Sequence, residues 1–137
     1  MTITIETRVQ APISRVWDAF TTEADIMQWN AASDDWHTPA ASNDLRVGGG
    51  FTYRMEAKDG SFGFDFSGTY TEVEVNDRIQ YQLEDGRTVV ISFMDDGDAV
   101  TVTESFDAEN ENDAEMQRAG WQAILDNFKQ HVERTLE

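Results

Sequence analysis

Phe51-Thr52-Tyr53-Arg54-Met55-Glu56-Ala57-Lys58-Asp59-Gly60, followed by Phe62, Phe64 and Phe66, decides the fold. Phe51, Tyr53, Met55 and Ala57 alternate with Thr52, Arg54, Glu56 and Lys58. That period of two predicts a half-buried strand. Asp59-Gly60 is a hairpin turn signal, and the three phenylalanines that follow share one face of a returning strand. The meander continues towards the C-terminus. Val73 and Val75 have the opposite parity to Phe66, which predicts a bulge or kink near Gly68. Asn76-Asp77 turns the chain into Ile79, Tyr81 and Leu83. Asp85-Gly86 turns it into Val89, Ile91 and Phe93. Asp95-Asp96-Gly97-Asp98 leads to Val100, Val102, Glu104 and Phe106.

Outward from the meander, the periodicity changes. Trp121, Ile124, Leu125, Phe128 and Val132 recur at helical spacing, and Asn112 with Glu115 predicts the helix start. Lys129, His131 and Arg134 fall at the end that the helix dipole favours for cations. At the other end, Ile3, Ile5, Thr7 and Val9 predict a strand. Pro12 then starts a short helix with Val16, Trp17 and Phe20 on its apolar face. Thr22 and Asp25 predict the cap of a second short helix that buries Ile26 and Trp29. Residues 30–44 are polar, carry Pro39, and read as a long loop; Leu45 and Val47 lead into Gly48-Gly49-Gly50. The order predicts an α+β domain over residues 1–137. A curved antiparallel sheet of six to seven strands wraps a long C-terminal helix, with two short helices after strand 1. One helix cannot cover so much concave apolar surface, so a cavity is the natural outcome.

Composition narrows the function classes. The 137 residues carry a net charge of −17, from 27 acids against 10 bases, with Lys58 and Lys129 the only lysines. Such a surface repels phosphates, which excludes nucleic acid as a partner. It suits either high solubility or a saline interior. With no cysteine, thiol catalysis, disulfides and thiolate metal sites are absent. No apolar run predicts membrane insertion. The start, "MTITIETRVQ", alternates and lacks a signal peptide's pattern, which predicts a cytoplasmic protein.

Four segments carry a family resemblance: "APISRVWDAFTTEADIMQW" at 11–29, "NDLRVGGGFTYRM" at 43–55, "FSGTYTEVEVNDRIQY" at 66–81 and "MQRAGWQAILDNFKQHVE" at 116–133. With them the chain resembles the START-like helix-grip superfamily (SRPBCC, Bet v 1-like). Within it, the chain is similar to the bacterial activator of Hsp90 ATPase homologue-like proteins. The resemblance implies a helix-grip fold and leaves function open among lipid carriers, polyketide cyclase-like enzymes and chaperone cofactors. Many relatives carry a double tryptophan followed by glycine and proline where this chain reads "QWNAASDDWHTP".

The candidate site follows from parity and residue type. Trp29, Tyr53, Phe64, Phe66, Tyr81, Phe93 and Trp121 are aromatic side chains expected to face the cavity. Glu104 shares parity with Val102 and Phe106, so it is expected to point inward too. In Ser33-Asp34-Asp35-Trp36-His37-Thr38, Trp36 and His37 are expected at the pocket lip, with Asp34 and Asp35 solvated. Asp65, opposite in parity to the phenylalanines, reads as solvated as well. One histidine beside two carboxylates is too few ligands for zinc, so no metal is expected. Gly120 in the last helix reads either as a close-packing contact or as room for a ligand.

The leading expectation is a module that binds a small lipophilic or aromatic ligand without a cofactor. The alternatives are a co-chaperone-like interaction domain, whose partner is a chaperone or another protein, and a cyclase, dehydratase or hydrolase. An enzyme needs His37 or Glu104 as acid or base, converging with Tyr53 or Tyr81 on the cavity.

Overall fold

The computed structural model describes residues 1–135. β1 (Thr2–Val9) is followed by α1 (Ile13–Thr21) and α2 (Glu23–Trp29). Six strands follow: β2 (Trp36–Asn43), β3 (Gly50–Ala57), β4 (Gly63–Glu74), β5 (Arg78–Leu83), β6 (Thr88–Asp95) and β7 (Val100–Asp107). The long helix α3 (Ala114–Arg134) ends the order. The seven strands form one antiparallel sheet in the order β1-β7-β6-β5-β4-β3-β2. It curls round α3 as a half-barrel, so β1 and β2 are its two edges.

The inward-facing residues are those that alternation predicts. Ile3, Ile5 and Val9 on β1, Val89, Ile91 and Phe93 on β6, and Val100, Val102 and Phe106 on β7 are buried. They meet Leu125, Phe128 and Val132 of α3, whose spacing places them on one stripe. Phe20 and Trp29 pack their rings against Phe128, with centroids 5.2 and 5.0 Å apart. Both short helices are thereby seated on the long one.

α3 lies along β1 and also caps that strand's free edge. Arg118 donates to the Thr4 carbonyl at 2.8 Å, Gln122 to Glu6 at 3.2 Å and Lys129 to Arg8 at 2.7 Å. These alternate carbonyls are the ones an edge strand leaves unpaired. The position of α3 over β1 leaves the concave face of β3, β4 and β5 less covered.

Several local expectations need correction. Residues 36–43, predicted as loop, form the edge strand β2. After Trp36 its side chains are polar or small, so no apolar alternation marks it. Backbone pairing holds it, with Trp36 opposite Ala57 and Asn43 opposite Phe51. Pro39 falls where the register shifts between His37 and Ala40, the place in a ladder that tolerates a missing N–H. The bulge in β4, expected near Gly68, lies two residues on, between Tyr70 and Glu72. Gly68 serves another need: a Cβ there would stand 2.7 Å from the Phe51 ring, which lies across it. Thr22 occupies the N-cap of α2 without a side-chain cap bond, and the cap of α3 is Asp113, which accepts from the Glu115 N–H.

His131 is buried and not merely a charge at the helix end. Its Nε2 lies 2.7 Å from Asp25 Oδ1, which also accepts from Arg15 at 3.2 Å. Burial works to raise the Asp25 carboxyl, but the bonds to His131 and Arg15 outweigh it and leave it below its usual 3.8. Asp25, the predicted cap partner of Thr22, thus ties α1, α2 and α3 together.

Gly120 makes no close packing contact: beyond its chain neighbours and its own helix backbone, no heavy atom of the described residues lies within 4 Å of where its Cβ would sit. Mid-helix glycine is therefore only a cost here. Gly120→Ala is expected to stabilise the fold by about 0.5–1 kcal/mol. The checking measurement is a thermal melt, with an expected rise of about 2–4 °C. A lower melting temperature would show that the bare backbone is needed.

Candidate functional site

Under the uncovered part of the sheet lies a cavity of about 320 Å³. Its walls follow from strand parity. β3 contributes Tyr53, β4 contributes Phe66 and Tyr70, β5 contributes Ile79 and Tyr81, and β7 contributes Glu104. α3 supplies Gln117, Trp121 and Ile124 from above, while Phe20, Trp29 and Asn30 close one end. Trp121 is held by stacking on Phe106, with centroids 4.0 Å apart and planes 11° apart. Phe66 meets both Trp121 and Tyr81 edge-on, at 6.0 and 6.5 Å.

Polar groups are few and mostly engaged. The Tyr70 hydroxyl donates to Asn43 Oδ1 at 2.6 Å, and Asn43 Nδ2 donates to the Thr21 carbonyl at 2.8 Å. The glycine turn before β3 fixes that strand partner: Gly48 N–H donates to the Tyr70 carbonyl, and Tyr70 N–H to the Gly49 carbonyl, each at 2.9 Å. A Cβ on Gly49 would fall 2.2 Å from the Asp44 carbonyl, so the turn requires glycine there. At the α3 end, buried Gln117 accepts from Glu109 N–H at 2.9 Å. It donates to the carbonyls of Glu109 and Asn112 at 3.1 and 2.8 Å, ordering the segment that leads into the helix.

Glu104 stands apart. It is only 8% exposed, and among the described residues no hydrogen bond or ion pair engages its carboxyl. Burial pushes that carboxyl from the ordinary 4.5 up to about 8. All three tyrosines of the chain face the same space. Burial drives Tyr53 and Tyr81 well above their ordinary 10, with Glu104 adding to both, and Tyr70 rises to about 12. Their hydroxyls therefore stay protonated and remain donors.

Of the residues singled out in the sequence, Trp29, Tyr53, Phe64, Phe66, Tyr81, Glu104 and Trp121 line this cavity. Trp36, His37 and Phe93 do not. Phe93 is covered by Trp17 and Phe20, at 5.2 and 5.5 Å, and belongs to the core beside the cavity. Trp36 stands one ring away, touching Phe62 and Phe64 at 6.0 and 6.1 Å. With His37 it borders a separate polar depression that also includes Asp34, Thr38 and Lys58. The His37 Nε2 lies 3.9 Å from Glu56 Oε1 at the half-exposed surface, so His37 and Glu104 do not share a site. Asp34 and Asp35 are exposed, as is Asp65, which pairs with Arg54. Arg118 bonds β1 and not Glu104. Among the described residues no three His, Asp or Glu side chains converge as a metal-ligand set, and no helix is long and apolar enough to cross a membrane.

Tyr70 and Gln117 escaped the sequence reading, although signals for both were present. Tyr70 continues the even-numbered face of Phe64 and Phe66, which a bulge expected near Gly68 conceals. Gln117 precedes Trp121, Ile124 and Phe128 on their own helical stripe.

A curled antiparallel sheet gripping one long C-terminal helix, with two short helices after the first strand, defines a helix-grip protein. Residues 10–133 match the family model described as Activator of Hsp90 ATPase homolog 1-like protein, and the chain belongs to that family. It is similar to an AHSA1-like protein from Aeromonas hydrophila, at 48% identity over 98% of this chain and 93% of that one, with a TM-score of 0.92. A protein of Cytophaga hutchinsonii is 50% identical over 98% and 94% of the two chains, with a TM-score of 0.85. The Aha1 dimer from Colwellia psychrerythraea shares the fold at 15% identity, covering 100% and 99%, with a TM-score of 0.77. No curated protein matches the sequence.

Proposed function

We propose that this chain is a small-molecule binding module whose cavity takes a lipophilic or aromatic ligand. One observation carries the reading: a cavity of about 320 Å³ walled largely by aromatic rings, with polar side chains at both ends and Glu104 on the sheet. Small-molecule pockets combine these features, and this volume lies at the lower end of their roughly 300–1,000 Å³ range. The rings of Phe66, Tyr81 and Trp121 give such a ligand apolar surface to pack against. The reading needs no cofactor.

A backbone amide NMR titration against fatty acids, sterols, flavonoids and simple aromatics tests it. Saturable shifts are expected at Phe66, Tyr81, Glu104 and Trp121. Their absence for every compound, in a folded sample, would sink the reading.

A second reading, a co-chaperone-like interaction domain, draws on the family's description and on a surface feature. Phe62 and Phe64, 61% and 39% exposed, form an outer aromatic cluster with Trp36. Exposed large apolar groups in contact favour protein partners. Shifts at Phe62 and Trp36, with none at Phe66, Tyr81 or Trp121, on adding a chaperone would favour it.

A further inference from the structure

We propose that the cavity selects a monocation, an ammonium group carried on an apolar or aromatic body, with Glu104 as its counter-ion. The inference rests on the binding-module reading above and names the charge of the ligand.

The first ground is that Glu104 has no use within the fold. Its register partners are Ile5 on β1 and Ile91 on β6, both buried and apolar. The residue is only 8% exposed, its carboxyl oxygens open onto the cavity, and no protein donor reaches them among the described residues. A buried acid without a partner costs stability. A ligand that brings the missing partner recovers that cost on binding.

The second ground is the charge around it. From the sheet, the neighbouring titratable groups are Tyr53, Tyr70 and Tyr81, all neutral. At the other charged wall positions stand Glu109 and Arg87. The Arg87 guanidinium is already held by Asp85, with Nε 2.7 Å from Oδ2. α3 presents Gln117, Trp121 and Ile124, and α1 and α2 present no charge to the cavity. Among the described residues, therefore, the cavity's one cationic side chain, Arg87, is paired with Asp85 and none is paired with Glu104. An anionic ligand would meet Glu104 and Glu109, and a chain of net charge −17 repels it at longer range.

The third ground is the ring wall. Trp121, Phe66 and Tyr81 line the same cavity as Glu104, and aromatic rings attract ammonium groups, more strongly where water is excluded. A cation there gains the carboxylate and the ring faces together. A neutral molecule gains only the apolar burial.

Phenyltrimethylammonium and tert-butylbenzene have the same shape and differ in charge, so they make the test. Calorimetric or NMR titration of the full chain at pH 8.5 is expected to give at least about tenfold tighter binding of the cation. Glu104→Gln is expected to abolish that preference while retaining tert-butylbenzene. In the wild-type chain, affinity for the permanently charged probe should rise by more than about tenfold from pH 6 to 8.5, as Glu104 gives up its proton. That readout needs no variant. Equal or tighter binding of tert-butylbenzene by the wild-type chain would overturn the inference and leave the binding-module reading intact. Binding of neither probe overturns the inference as well, and the wider ligand panel then decides the module reading separately. Unchanged cation affinity in Glu104→Gln would also overturn it.

Discussion

Glu104→Gln is expected to raise stability by on the order of 4 kcal/mol at pH 9 and to change it little near pH 4.5. The sign follows from the direction of the shift. The folded-state carboxyl titrates at about 8 and the ordinary carboxyl at 4.5. Between these values the native state holds a proton that the unfolded chain has released. Stability of the wild-type chain therefore falls as pH rises through this window, and the loss is complete above about 8. Glutamine keeps the shape and removes the charge, so the variant does not share that fall. The other acids with shifted values leave the window clear: Asp25, Asp59, Asp85, Asp96 and Glu133 are all held below their ordinary values. The tyrosines act only above it. Urea unfolding of both chains at intervals from pH 4.5 to 9 reads the difference directly. A difference that stays flat with pH would mean that water entering the cavity solvates the carboxylate.

The inward direction of Glu104 was legible in the sequence because strand parity is strict and β7 carries no bulge. Its neighbours Val102 and Phe106 fix its face, and the structure keeps that phase. The same rule located Tyr53, Phe66 and Tyr81. Turn chemistry kept the register honest: Gly60, Asn76, Gly86 and Gly97 all take positive φ at the predicted turns. β2 was hidden for the opposite reason. "WHTPAASN" has no apolar alternation, because an edge strand needs only one paired neighbour and polar cover. Thr38 is buried there through its bonds with Asn30, a contact between distant elements that no local pattern signals. Missing β2 also misplaced Trp36 and His37, since a lip and an edge strand face different spaces. Phe93 illustrates a further limit. Parity says that it points inward, as Phe66 does. Only the packing of α1 decides that Trp17 and Phe20 cover one while the other is left facing a cavity.

Phe128→Ala is expected to cost roughly 3–5 kcal/mol, the range for deleting a buried aromatic ring. Phe128 is fully buried at the crossing of three helices, with Phe20 and Trp29 edge-on against it at 80° and 73°. Domains of this size are stable by only about 5–15 kcal/mol, so the loss is a large share of the total. The melting temperature should drop by more than about 10 °C. The effect extends beyond stability, because Trp29 belongs both to this cluster and to the cavity wall. Its Nε1 donates to the Ala19 carbonyl at 2.8 Å, which anchors the ring's edge but not its face. Without Phe128 that face loses its support, and the cavity is expected to extend towards the core. Bulkier members of a ligand panel should then gain affinity relative to smaller ones. Thermal melts and parallel titrations of the two chains check both halves. A destabilisation below about 1 kcal/mol would show that the three helices close over the missing ring, and ligand preference should then stay unchanged.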